Sequence, residues 1–549
     1  ENRERHRGAL GLPPEALGTF SDAALVLEAW KRWGEDGLKR LNGPIVVAIS
    51  DLRDPRGPRT VLYREPLGRR GLHYLPTSGA LLVATEPSAL LAAPFVSSEL
   101  DERWLTQYFA LSRPTDNRTP FSAIRKLLPG ECLVCTPDGI RLAREPLELG
   151  RRSVRYRNEA DYADRFRSLL DQAVERSLID SGERVGIMLS GGMDSGPAAA
   201  LVQRRLSAEG RTLTAYSWSL PEYPSADETA EIAACADHIG CGLRLLPGAD
   251  KWPFRDLQSW PVNPNSPFAN AFRRVKLAVY RAAARDGCGV ILNGASGDTL
   301  YPHPSHRLAD AWRDGLRGFV LSEIVRTAGL SGLIGLWHDP GLRGLGKHLL
   351  GGRGRTRSAP IWLTARARRL WKESSGPWPP ESANHPRPDH YQAALDQWAA
   401  DGLSEEVFFA GRCGIDRRDP FRDADLIDFL LSIPSYVCYR DGHTKWLARE
   451  SMRGLLPEST RLRPRGGLLT EFFDAGYRRE LPAMKRLLMA PTVAWPVYVD
   501  HAWLMRALDA PEPSEKEKLL VWYCAAFELW QRALSGEHPE LLQFARGEA

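Results

Sequence analysis

The run Val185-Gly186-Ile187-Met188-Leu189-Ser190-Gly191-Gly192-Met193-Asp194-Ser195 decides how this chain is read. An apolar stretch ends in a hydroxyl, two glycines, a carboxylate and a second hydroxyl, and residues 196–206 then read as a helix. A strand–turn–helix of this kind aims backbone N–H groups and a helix N-terminus at one spot, where an anion gains from both. Gly191 and Gly192 let the backbone approach a phosphate closely, because no Cβ intervenes. Ser190 and Ser195 add hydroxyl donors. Asp194 repels a bare phosphate, which points to an intervening Mg²⁺. The loop lacks the lysine of GxxxxGK[S/T], and it does not follow GxGxxG either.

The loop resembles the SGGxDS signature of the ATP pyrophosphatases, which cleave ATP to AMP and pyrophosphate. ATP and Mg²⁺ are therefore the expected cofactors, with Ser190, Gly191, Gly192, Asp194 and Ser195 on the nucleotide. Ligands of open parallel sheets sit beyond the carboxyl ends of the strands. That rule brings the loop beside the stretch after Trp218 and beside Asn293-Gly294-Ala295-Ser296-Gly297-Asp298, which follows a third apolar strand, Gly289 to Leu292. The last loop resembles the SGEGxDE segment of asparagine synthetases. The resemblance implies Asp194 and Asp298 as the metal ligands, and Met188, Trp218, Asn293 and Gly294 around the adenine. Trp218 reads equally well as plain core.

A second stretch carries the same resemblance. Gly414-Ile415-Asp416-Arg417-Arg418-Asp419-Pro420-Phe421-Arg422-Asp423 is similar to the family's G-x-E-x-R-x-P-F-L-D, with Asp416 for the glutamate and Arg422 for the leucine. Lys445-Trp446-Leu447-Ala448-Arg449 and Arg463-Pro464-Arg465 follow, like K-x-x-L-R and R-x-K. The resemblance assigns Lys445 and Arg465 to catalysis, as cations that offset the charge of adenylate formation and pyrophosphate departure. Arg465 stands where a lysine is usual, so it brings a fork rather than a point charge, and a salt-bridged structural role stays open.

Composition bounds the class. The chain has 549 residues, so two or more domains are expected. A net charge of +5 from 73 Lys+Arg interspersed with 68 Asp+Glu does not make a general nucleic-acid binder. No apolar run approaches a membrane span and no leader pattern opens the sequence. Eight cysteines in so long a chain are no disulfide framework, and Cys132 and Cys135 read as strand thiols rather than zinc ligands. A reducing cytoplasm fits.

Residues 1 to about 150 read as a helix capped at Ser21 and Asp22, then short strands with Pro/Gly turns. Arg64-Glu65-Pro66-Leu67-Gly68-Arg69-Arg70-Gly71-Leu72-His73-Tyr74 is similar to the amidotransferase domain of glutamine-dependent asparagine synthetases. Those are layered sheet folds with a nucleophilic N-terminal cysteine. Here Asn2-Arg3-Glu4 already resembles a segment deep in that domain, and the sequence opens on Glu1. A degenerate, N-terminally incomplete domain without glutaminase chemistry is expected. The fold class is therefore α/β. A degenerate Ntn-type amidotransferase-like layered sheet domain (1–150) precedes a parallel-sheet ATP pyrophosphatase (HUP-like) synthetase domain (156–549).

Two features point to the substrate. The glutamate of SGEGxDE is Ala295 and the trailing acid is Thr299, so the place that handles the acceptor amine has changed. Tyr301, His303 and His306 lie just downstream as candidate bases, or as ordinary loop residues. A helical segment at about 305–400 is rich in Arg and Trp, with Trp312, Trp337, Trp362, Trp371, Trp378, Tyr391 and the run Arg353-Gly354-Arg355-Thr356-Arg357. Taken together it reads as peptide binding, although each tryptophan alone reads better as core. Ala359-Pro360-Ile361-Trp362-Leu363 and His385-Pro386-Arg387-Pro388-Asp389-His390-Tyr391 resemble segments of the lasso peptide cyclases. Those relatives join an Asp or Glu side chain of a precursor peptide to its N-terminal amine. The resemblance implies macrolactam formation, with a leader peptidase and a leader-binding protein as further partners. An asparagine- or β-lactam-type synthetase and a nucleotide- or peptide-binding scaffold without turnover are the alternatives.

Overall fold

The computed structural model describes residues 8–11, 21–53, 57–112, 114, 116–144, 148–326, 339–349, 358–374, 385, 387–395, 397–464, 466–538 and 542. The first region builds two antiparallel sheets. One has the order β1-β2-β6-β7 (Val46–Asp51, Arg59–Arg64, Glu131–Thr136, Gly139–Arg144). The other has the order β4-β3-β5 (Leu81–Ala84, His73–Pro76, Arg125–Lys126). Strand alternation sorts the residues of β2 and β6 between two cores. Val61, Tyr63, Cys132 and Val134 pack under helix α1 (Asp22–Trp33), whose first turn is capped by the Ser21 hydroxyl. Leu62 and Leu133 face the second sheet, with Leu72, Tyr74 and Leu127. Cys132 and Cys135 sit three apart on one strand and join different cores, so they hold no metal between them. Among the described residues no group of three or more His, Cys, Asp and Glu is placed to hold a metal ion, and all eight cysteines are unpaired.

Helix α2 (Glu102–Phe109) departs from this layered arrangement. All its residues from Trp104 to Phe109 are buried, and they join a core with Trp362, Trp371, Trp495, Trp522 and Trp530 from the other end of the chain.

The second region is a five-stranded, wholly parallel sheet of order β10-β9-β8-β11-β12. Its strands are Arg184–Met188 (β8), Thr212–Ser219 (β9), Gly242–Pro247 (β10), Val290–Leu292 (β11) and Asp416–Arg418 (β12). From β8 the chain winds outward through β9 to β10, then returns to the other side of β8 for β11 and β12. The direction reverses between β8 and β11, which opens a crevice at their carboxyl ends. On one face Val185, Ile187 and Leu292 pack under α3 (Glu159–Leu178) and α4 (Ser195–Ala208). On the other, Tyr216 and Ile291 pack under α5 (Arg273–Arg285). No described helix is long and apolar enough to cross a membrane.

Candidate active site at the carboxyl ends of β8 and β11

The loop after β8 turns back on itself. The Ser190 N–H donates to Ser195 Oγ at 3.0 Å, and the two hydroxyls lie 3.0 Å apart. Gly191 holds φ +60, the left-handed region that costs an L side chain energy. Asp194 sits at the N-cap of α4 without capping it, although aspartate is a favoured cap. Its carboxylate turns into the crevice instead, where Lys445 Nζ lies 2.5 Å from Asp194 Oδ2 and 2.5 Å from Asp298 Oδ1.

The loop after β11 reaches Asp194 only because two of its residues lack side chains. A Cβ on Gly294 would lie 2.6 Å from the Asp194 carbonyl carbon, and one on Gly297 would lie 2.3 Å from Asp194 Oδ1. Strand β12 braces this loop. The Asn293 amide donates to the Arg418 carbonyl, while its oxygen accepts from the Ala295 N–H and the Arg417 guanidinium at 2.9 Å each. Asp419 accepts from both the N–H and the hydroxyl of Ser296. The Asn293 side chain is thus committed to shaping the loop.

Burial, with Asp298 beside it and Lys445 opposing, pushes the Asp194 carboxyl from 3.8 up to about 6. Asp194 Oδ1 is buried and has no hydrogen-bond partner. A buried carboxylate oxygen without a donor, next to a second carboxylate from another strand end, suits a hard divalent cation. Asp298 is largely open to solvent, with 78% of its side chain exposed, so the pair joins a buried carboxylate to an accessible one. Lys445 itself adopts left-handed backbone angles, φ 56 and ψ 30, at the start of the turn Trp446–Ser451. Its ammonium also lies 5.6 Å from the centre of the Tyr301 ring.

Met188 and Trp218 end neighbouring strands on one face of the sheet, because Met188 pairs with Tyr216, two residues before Trp218. Both are half-buried. Arg465 lies outside the described residues. Its neighbours are fixed, since Glu228 accepts from Arg463 and from the Gly467 N–H at 2.7 Å each.

The structure redistributes the downstream candidates. Tyr301 is buried against Phe166 and Phe421, and burial raises its phenol well above 10. It is a core residue rather than a loop residue. His303 accepts from the Ser305 N–H as a helix cap, and burial lowers His306. Among the described residues, the aromatic set of the 305–400 segment is mostly core. Trp362, Trp371 and Tyr391 are buried, and Trp362 donates to the Phe109 carbonyl. Large rings gain more by leaving water than by waiting at a surface. Trp312 lies under the Arg317 guanidinium at 3.5 Å. Trp337, Trp378 and the run 353–357 lie outside the described residues. A cavity of about 1050 Å³ opens elsewhere, between β1 and residues such as Asn263 and Phe408, and no residue of the crevice lines it.

Comparison with known proteins places these features in a family. The family model described as asparagine synthase matches residues 165–532, and the one described as a glutamine amidotransferase domain matches residues 3–145. Asparagine synthetase [glutamine-hydrolyzing] 3 of Bacillus subtilis is 29% identical over 201 residues, covering 35% of this chain and 30% of its own. Amidase chry2 of Gibberella zeae is 25% identical over 317 residues, covering 54% of this chain and 45% of its own. A putative asparagine synthetase of Mycobacterium bovis is 27% identical over 201 residues, covering 34% and 29%. The chain thus spans less than half the length of these relatives.

Proposed function

This chain belongs to the asparagine synthase family, and we propose that it is an ATP-dependent, amide-forming ligase. A carboxylate attacks the α-phosphorus of ATP, pyrophosphate leaves, and an amine then displaces AMP from the activated acyl group. The loop Ser190 to Ser195 and the N-terminus of α4 cradle the phosphates, while Met188 and Trp218 pack against the base beside Gly294. The observation that carries this reading is the convergence of Asp194, Asp298 and Lys445 at 2.5 Å. The unpartnered Asp194 Oδ1 fits Mg²⁺, which would offset triphosphate charge there. Lys445 and Arg465 stabilise the charge that develops on pyrophosphate.

The substrate we propose is a peptide, which the enzyme closes into a macrolactam between an Asp or Glu side chain and the N-terminal amine, as lasso peptide cyclases do. Two features support this. Alanine at 295 removes the acid that serves asparagine formation, and the side chain at that position is exposed at the crevice. Residues 359–363 and 385–391 are similar to the cyclases, a family likeness rather than a peptide contact, because Trp362, Leu363, His385, Arg387, His390 and Tyr391 are buried. A precursor peptide, a leader peptidase and a leader-binding protein are the partners that follow, in a reducing cytoplasm. The relatives named as asparagine synthetases favour a second reading, a ligase acting on a small amino acid.

Asp194→Ala and Asp298→Ala are expected to lower pyrophosphate release at least a hundredfold, roughly the loss seen when a key electrostatic contact is removed. Turnover unchanged in either variant would remove that residue from the metal site. Nucleotide binding without pyrophosphate release in the unaltered protein would leave a scaffold in place of an enzyme.

A further inference from the structure

The segment 385–391 carries a family resemblance, yet among its described residues His385, Arg387, His390 and Tyr391 are buried. It is a buried key with four attachments. His385 Nε2 lies 3.2 Å from the Gly150 carbonyl, and its ring stacks on Tyr391 at 4.8 Å. Arg387 donates to Asp310 at 3.3 Å and also to the Leu431 carbonyl. Asp310 in turn accepts from the N–H and hydroxyl of Ser435. The fourth attachment is His390, 6% exposed, whose Nε2 lies 2.7 Å from the Leu300 carbonyl. A carbonyl only accepts, so Nε2 carries the proton. Burial and the nearby Arg387 lower this imidazole to about 3, so it stays the neutral donor.

Leu300 closes the turn Gly297–Leu300, which carries Asp298 and leads into Tyr301. Those two residues supply two of the three contacts that locate the Lys445 ammonium, the third being Asp194. Lys445 is held in left-handed backbone angles, and four residues form too short a turn to fix itself. The backbone bond that closes it, from the Tyr301 N–H to the Gly297 carbonyl, is long at 3.4 Å. We propose that His390 is a positioning residue of the nucleotide–metal centre: its hydrogen bond to Leu300 pins the far end of a turn that Asp419 holds at Ser296, and so places both Asp298 and Lys445. This rests on the reading of that centre given above.

The test compares His390→Leu, which has no donor, with His390→Gln, whose amide nitrogen can replace Nε2. In the ligand-free proteins, backbone hydrogen exchange is followed over residues 294–302, with residues 515–534 as the control for global stability. His390→Leu is expected to speed exchange of the turn about tenfold, as for one lost buried hydrogen bond. The control stays unchanged and His390→Gln remains near the unaltered protein. Binding of Mn²⁺–ATP, followed by electron paramagnetic resonance, should weaken by about the same factor in His390→Leu and recover in His390→Gln. Equal exchange in all three proteins overturns the brace. A loosened turn with unchanged Mn²⁺–ATP binding overturns the positioning role. Should His390→Leu fail to fold, His390→Asn, whose amide falls short of Leu300, takes its place in the same comparison. If the unaltered protein binds no Mn²⁺–ATP, the reading of the centre fails, and exchange still decides whether His390 braces the turn.

Discussion

Asp194 forgoes its cap, keeps one carboxylate oxygen without a partner and shares the other with Lys445. Its folded-state value of about 6 lies above the ordinary 3.8, so between the two the folded chain holds a proton that the unfolded chain has released. That contribution to stability is complete below about 3.8 and is lost as the pH rises through about 6. Asp194→Asn, the same size without the charge, is therefore expected to stabilise the ligand-free protein near pH 7.5 by on the order of 2 kcal/mol. Near pH 3 the gain should vanish, because the aspartate is then protonated in both the folded and the unfolded chain. Urea unfolding at the two pH values measures this, and a variant less stable at the higher one would contradict it. Asp194, Asp298 and Lys445 were legible in the sequence because each lies inside a motif whose chemistry demands it. Tyr301 and His390 were not, since their parts depend on which residues the fold sets beside them. The only sequence signal for His390 was its place in a segment whose resemblance suggested a substrate contact.

Glycines set the distance between the two loops of the crevice. A Cβ at Gly297 would overlap Asp194 Oδ1, whereas one at Gly289 meets nothing within 4 Å. Gly297→Ala is expected to push the Asp298 turn away and lower pyrophosphate release at least tenfold, at a stability cost of about 1–3 kcal/mol. Gly289→Ala should leave release unchanged. Equal losses in the two would mean that loop spacing does not control the reaction. Among the strands, β8, β9 and β11 were readable as apolar runs ending in polar turns. Strand β12, Asp416-Arg417-Arg418, was not, because its residues are charged and only pairing with β11 makes it a strand. Its charges have work to do: Asp416 pairs with Arg70 of the first region at 2.8 Å and with Arg418 at 2.8 Å. The two departures within the 414–423 segment, Asp416 and Arg422, both face the first region, where Arg422 donates to the Leu67 carbonyl.

At the scale of the molecule, the sheets mark a division between residues 46–144, which hold the antiparallel layers, and residues 184–418, which hold the parallel sheet. The packing crosses it. Helix α2 lies in one core with the C-terminal helix Glu515–Leu534, where Phe109 stacks on Tyr498 at 5.1 Å and meets Phe527 edge-on at 5.1 Å. Nothing in the periodicity of α2 names its partner, so this shared core could not be read in advance. Phe109→Ala is expected to destabilise both regions together by about 3–5 kcal/mol, in one calorimetric transition. Two separate transitions, only one of them shifted, would show that the regions fold independently.

The central claim is amide formation within a peptide, and mass spectrometry of the reaction product tests it most directly. The protein is incubated with ATP, Mg²⁺ and a leader-free candidate peptide that carries an internal Asp or Glu. The expected product is lighter by one water and forms with one AMP per turnover, its amide joining that side chain to the N-terminal amine. AMP formed with a small amino acid while the peptide keeps its mass would contradict that claim.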